Sequence, residues 1–216
     1  MLDLLFGIEG ANLNSLSIIR GAVLAPLTLV ACLIVSIFCL RKRKGYLYTL
    51  LSLLFVFYLS ALIEITFFPL PYRSSEIIQA RQPLCMLFKE INLIPFKGVW
   101  TIFSKGDSLG AAVQVRNWLG NILLFIPLGF SIPILSKRFG DAKKVILSIC
   151  VISLFIEESQ FLLTCFVFRA PYKVTDIDDL IANVLGGLVG FLFFIPVRRT
   201  YNCIRGKRAK EMESTL

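Results

Sequence analysis

The stretch VILSICVISLFIEESQFLLTCFVF, residues 145–168, reads as one crossing of a membrane with chemistry inside it. It exceeds the about 20 helical residues that a hydrocarbon core requires, yet Glu157, Glu158 and Gln160 fall near its middle. An ionisable group at that depth costs about 2.5 to 3.5 kcal/mol even on a lenient scale, so such groups are paired, hydrated or functional.

Four further apolar runs, at roughly 21–40, 46–69, 118–135 and 180–197, are long enough or nearly so to span. The third and fifth are short, and Pro127 and Pro133 in the third predict a kink or a partial crossing. The chain is 56% hydrophobic with a mean hydropathy of +0.78, well above an ordinary globular domain. The expected fold is all-α: a polytopic transmembrane helical bundle of about five spans, forming a single membrane domain over 1–216.

The formal charge of +9 does not indicate a nucleic-acid partner, because the basic residues neither form a stripe nor interleave with aromatics. They flank spans instead: Arg41 to Lys44 after the first, Lys137, Arg138, Lys143 and Lys144 between the third and fourth, and six from Arg198 to Lys210. The positive-inside rule makes that side cytoplasmic, with the N-terminus outside and 198–216 a basic cytoplasmic tail. The six basic residues of the outer loop, about 70–117, are diluted over its length and weigh little. That loop holds large apolar residues at Pro83 to Phe88 and Asn92 to Trp100, so part of it is expected on or in the membrane surface, packed over helix ends. Leu2 to Ile8 is too short to span and lacks a basic flank, and reads as an interfacial segment rather than a signal peptide.

Without histidine the chain cannot build Ser-His or Cys-His nucleophilic centres or histidine metal sites. Of six cysteines only Cys85 and Cys165 are placed to meet near the outer face, and no spacing supports a bridge. No repeat and no inverted pair of spans points to a secondary transporter. No cofactor is implied.

Sorted by side, the polar residues near the spans gather at one leaflet. Glu64 lies near the outer end of the second span, Asn117 and Asn121 at the outer start of the third, and Asp176, Asp178, Asp179 and Asn183 at the outer start of the fifth. Spacings of three and four put Glu157 with Gln160, Asn117 with Asn121, and Asp176, Asp179 and Asn183 each on a shared helix face, so three faces can line one cleft. Other readings stand beside this one. Asp176 and Asp179 suit an N-cap and an N3 acid, Asn121 and Asn183 suit interhelical hydrogen bonding, Gly186 and Gly190 suit close helix packing, and Glu64 suits a hydrated rim. Counting about 1.5 Å per residue from Val145 puts Glu157 near the midplane. Its charge there needs a cation, for which Arg116 and Arg169 are candidates, unless a neutral Glu157 bonds Gln160 or Asn121.

Asn92-Leu93-Ile94-Pro95-Phe96, then residues 121–130 (NILLFIPLGF), Glu157 with Gln160, Arg169, Asp176-Ile177-Asp178-Asp179, and Asn183 with Gly186 follow one another in a set order. In these motifs the chain resembles the VanZ-like membrane proteins, over about 45–197, with the motifs within 92–190. The resemblance implies a multi-pass protein linked to reduced susceptibility to teicoplanin and related lipoglycopeptides. The expected role is non-enzymatic: a cleft of Glu64, Asn92, Arg116, Asn121, Glu157, Gln160, Arg169, Asp176, Asp179 and Asn183 holds or shields a cell-envelope ligand, such as a lipid-linked cell-wall precursor or a lipoglycopeptide. Arginines there would clamp a phosphate or carboxylate, and carboxylates would take a divalent cation. The alternatives are an enzyme using paired carboxylates on a lipid headgroup or lipid-linked glycan, and a proton-coupled carrier using Glu157.

Overall fold

The computed structural model describes residues 18–19, 24–71, 75–89, 91–98, 100, 104, 108–173 and 175–214; the segment Leu2 to Ile8 lies outside them. The described chain is all-α in class. Helices α1 (Leu24–Arg41) and α2 (Tyr46–Phe67) are followed by two short ones, α3 (Ser75–Gln79) and α4 (Leu84–Lys89), and then by α5 (Ser108–Leu135), α6 (Ala142–Leu162) and α7 (Ile177–Ser214). A two-residue antiparallel ladder, Ile18–Ile19 (β1) with Leu70–Pro71 (β2), ties the start of the chain to the end of α2. Five helices are long and apolar enough to cross a membrane.

Two boundaries differ from the sequence expectation. Helix α5 begins at Ser108, not near 118, and runs through Pro127 and Pro133 for 28 residues, so the third crossing is not short. Helix α7 runs on to Ser214, so most of the basic tail continues the fifth helix. Hydropathy marks the part of a helix that suits lipid, whereas backbone hydrogen bonds continue into polar sequence without loss. Asn117 and Asn121 therefore lie well inside a helix rather than at its start. Helix α6 is prolonged by a π-helical turn, Leu163–Phe168, and stops at Arg169, which takes the left-handed conformation (φ 54°) usual for a helix-ending residue.

The tightest packing is between α5 and α7, which run parallel because one antiparallel helix, α6, separates them in sequence. A Cβ at Gly186 would strike the Ile122 carbonyl, one at Gly190 the Ile126 carbonyl, and one at Gly129 the Gly187 carbonyl. Glycine is required there because the two backbones touch, the small-residue packing expected of Gly186 and Gly190. Around this seam lies the core: Phe125 and Leu128 of α5, Val145, Ile149 and Ile156 of α6, Phe191 and Phe194 of α7, and Leu62 of α2. Helix α2 is anchored to α5 by Tyr58, whose hydroxyl donates to the Leu124 carbonyl (2.7 Å), and by Tyr48, which donates to the Leu135 carbonyl (3.3 Å). Helix α1 sits outermost, joined to α2 by the Thr28 hydroxyl and Ser60 (2.7 Å). Its exposed Leu27, Leu29, Leu33 and Ile34 suit contact with a bilayer.

One end of the bundle is basic. Arg41 ends α1, Lys137 and Arg138 lie in the turn between α5 and α6, and Arg198 of α7 donates to the Gly140 carbonyl in that turn (3.0 Å). All six cysteines are free; Cys85 is exposed and Cys165 buried.

Candidate functional site

At the opposite end, the start of α7 organises everything around it. Asp176 is the N-cap: its Oδ1 accepts from the Asp178 N–H (2.9 Å) and also from Asn92 Nδ2 (2.8 Å). Such a cap satisfies a donor that the first helical turn leaves open. Asn92 binds the same segment through its backbone, its N–H donating to the Thr175 carbonyl (3.0 Å) and its carbonyl accepting from the Ile177 N–H (2.9 Å). Four residues on, the Phe96 N–H donates to Asp178 Oδ1 (2.7 Å). Phe96 has φ 61°, rare for a bulky residue, and this bond together with its ring against Trp118 (centroids 5.4 Å apart) holds it there. The 92–96 loop is thus latched over the helix end by the two aspartates, and Asp178, fully buried, acts as a structural latch.

Below this roof, side chains from three helices and a loop converge. Glu157, 7% exposed, accepts the Asp176 N–H at Oε2 (3.3 Å). Asp179 at N3 faces Glu157 and is hydrogen-bonded by Asn121. Lys173, in the loop before α7, lies within electrostatic reach of both carboxylates. One turn towards the seam, Asn183 Nδ2 donates to Ser153 Oγ (2.8 Å). Gln160, one turn further along α6, donates to the Thr66 carbonyl of α2 (3.0 Å), tying α6 to α2 on that side. Glu157 is therefore level with the first turn of α7.

The loop carrying Lys173 is itself pinned. The Thr164 hydroxyl donates to the Lys173 carbonyl (2.9 Å) and accepts from the Lys173 N–H (3.2 Å), while the Tyr172 hydroxyl donates to the Phe67 carbonyl. Burial pulls the Lys173 ammonium below its ordinary pKa, opposed by Asp179 and Glu157. Burial likewise raises Asp176, partly offset by the Asp178 N–H, and pushes the Tyr172 hydroxyl up to about 12.

Of the ten residues expected to form a cleft, Asn92, Asn121, Glu157, Gln160, Asp176, Asp179 and Asn183 meet at this one end. Arg116 is half-buried on α5, before Asn121. Arg169 is exposed and contributes its carbonyl to the Gln82 N–H (2.9 Å). Glu64 is exposed on α2, and Glu158 is exposed on the other side of α6. Lys173 was not on the expected set, since it sits in a loop with no periodicity to mark it. Asp178 looked like one more acid in a run, and only its buried position gives it a role.

Three buried polar atoms lack a partner among the described residues: Trp118 Nε1, Asp178 Oδ2 and Asn183 Oδ1. Also among the described residues, no three His, Cys, Asp or Glu side chains group as a metal ion would need.

The model of the VanZ/LLP1 family matches residues 55–199, from within α2 into α7, and takes in Asn92, Asn121, Glu157, Lys173, Asp176 and Asp179. Protein VanZ of Enterococcus faecium is 28% identical over 141 residues, 65% of this chain and 71% of that protein. No solved structure matches. With five helices able to span and a family match over most of its length, this multi-pass membrane protein belongs to the VanZ/LLP1 family.

Proposed function

We propose that the protein lowers susceptibility to teicoplanin-type lipoglycopeptides by acting at the outer face of the cytoplasmic membrane, where its recess binds or shields a cell-envelope ligand. The observation that carries this reading is the meeting of Asn121, Glu157, Lys173 and Asp179 under the 92–96 loop. Four residue types able to bind a polar headgroup come from four separate segments. Three of the segments are rigid helices, so the group is preorganised rather than assembled on binding. The basic residues at the far end favour a cytoplasmic position for that end, which turns the recess outward and puts the N-terminus outside and the C-terminus inside.

The reading is tested by expressing Glu157→Gln and Asp179→Asn in a teicoplanin-susceptible host that gains protection from the unsubstituted chain. Both substitutions keep size and hydrogen-bonding capacity and remove an ionisable group. Loss of most of the protection, at unchanged protein level in the membrane, is the expected result. Full protection by both variants would overturn the recess as the working part. Cysteine labelling with a membrane-impermeant reagent at position 93 checks the outward placement.

A further inference from the structure

At the basic end of the bundle, far from the recess, an apolar groove of about 460 Å³ lies between α5 and α6. Ile132 of α5, Phe139 of the turn and Leu147, Ser148, Val151 and Ile152 of α6 line it. That volume is in the range of specific ligand sites. The polar member, Ser148, donates its hydroxyl to the Lys144 carbonyl (2.8 Å), so its one donor is spent within the helix. Leu147 and Val151 are 65% and 58% exposed on a helix able to span a membrane, so the groove opens sideways to acyl chains rather than to water.

Charge marks one end of this groove. Val151, Ser148 and Lys144 follow one another at spacings of three and four, so they share a face of α6. Lys144 is exposed, and helical side chains lean towards the N-terminus, which carries its ammonium to the end of the groove beside the Phe139 turn. Lys137 and Arg138 are exposed in that turn, and the Arg198 guanidinium is fixed to it through the Gly140 carbonyl (3.0 Å). Against these cations stands Asp141, the single acid between residues 136 and 156. From Lys144 to Val151 the helix rises about 10 Å, less than one leaflet of a hydrocarbon core about 30 Å thick. Lys144 is thus at headgroup level while the groove lies among the chains.

We propose that this groove binds an anionic phospholipid of the leaflet at the basic end, one acyl chain lying along α6 and the phosphate meeting Lys144. Lys137, Arg138 and Arg198 supply the surrounding positive field, as basic residues bordering a span do for anionic lipids. A zwitterionic lipid brings the same chains and phosphate, but its own cation would face Lys144. A second copy seated here about a twofold axis would bring the basic turn against itself, and like charges so placed repel. This binding does not depend on the recess at the opposite end.

The test uses the purified full chain in dodecyl maltoside, with phosphatidylglycerol and phosphatidylcholine of identical acyl chains as probes, read by native mass spectrometry and by unfolding temperature. Phosphatidylglycerol is expected to bind saturably, to raise the unfolding temperature and to bind more tightly than phosphatidylcholine. Lys144→Gln should weaken phosphatidylglycerol by about fivefold, the worth of one basic residue near an anionic surface. Because Lys144 is exposed, the lipid-free unfolding temperature should not change. Ser148→Phe, which puts a ring into the groove, should weaken both lipids, and Arg41→Gln, on the outermost helix, should weaken neither. Glycerol phosphate, which has no chain, should not stabilise the protein. Equal affinity for the two lipids, or unchanged phosphatidylglycerol binding to Lys144→Gln or to folded Ser148→Phe, would each overturn the proposal. A loss with Arg41→Gln as large as with Lys144→Gln would replace the site by a diffuse attraction to the basic end. Stabilisation by glycerol phosphate equal to that by phosphatidylglycerol would remove the groove from the site. A lipid-free dimer that Ser148→Phe dissociates would put a second copy in place of the lipid. The headgroup contrast and Lys144→Gln decide the matter even where Ser148→Phe folds poorly.

Discussion

The same three helices behave in opposite ways at two levels of the bundle. At the seam, Gly129, Gly186 and Gly190 bring the backbones of α5 and α7 into contact, and nothing polar intervenes. Beginning within one turn of the seam's end at Gly186, the positions facing inward are Asn183 and then Asp179 on α7, Asn121 on α5 and Glu157 on α6, and the helices communicate through side chains. Lipid offers no hydrophobic force to hold helices together, so close packing must do it. The lesson is a division of labour: the seam sets the helix spacing rigidly, and the recess can then hold charges at fixed separations without needing them for stability.

The sharpest way to break this division is to open the seam. Gly186→Val places a branched side chain against the Ile122 carbonyl. Because backbone cannot yield, the expected cost is about 3 kcal/mol or more, seen as loss of the monodisperse species in size-exclusion chromatography. Gly187→Ala is the control on the same turn. Its new methyl meets the end of the flexible Ile149 side chain, so about 1 to 2 kcal/mol is expected and the protein should survive with a lowered unfolding temperature.

The latch comes next. Asp178→Ala strands the Phe96 N–H that Asp178 now accepts, and an unsatisfied buried donor costs about 1 to 3 kcal/mol. Limited proteolysis should cut the 92–100 segment faster while α5 and α7 stay protected. If the seam unravelled with the latch, the two levels would not be independent.

The cap should be milder. Asp176→Ala is expected to cost about 1 kcal/mol and Asp176→Asn only a few tenths, because asparagine caps a helix as well as aspartate does. Thermal unfolding of the two variants separates the cap from the charge: an equal loss in both would mean that Asp176 acts by its charge. The smallest effect is expected at Glu64, exposed on α2. Glu64→Gln should leave teicoplanin susceptibility within twofold of the unsubstituted chain, and a larger change would extend the working surface to that helix.

Much of the architecture was legible in advance. Runs of about 20 apolar residues marked all five candidate spans, because a helix of that length satisfies its own backbone within hydrocarbon. Helix spacing also grouped Glu157 with Gln160, and Asp176 with Asp179 and Asn183, since period and face follow from the helix alone. The start of α5 was missed because Gln114, Arg116 and Asn117 interrupt the apolar run. Those residues hold helical hydrogen bonds as well as any others, but hydropathy does not register them. That Glu157 meets the start of α7 could not be read from α6, because counting along one helix says nothing of where another begins beside it.

What the amino-acid order determined alone was the class, the spans and the faces, for these depend on local period and on solvent preference. Which faces meet was a tertiary matter. Lys173 enters the recess only because Thr164 and Tyr172 fold its loop inward, and Asp178 becomes a latch only because the 92–96 loop crosses the start of α7. Contacts between residues this far apart in the chain depend on packing that no local pattern encodes, and here that packing is imposed by three glycines letting two backbones touch.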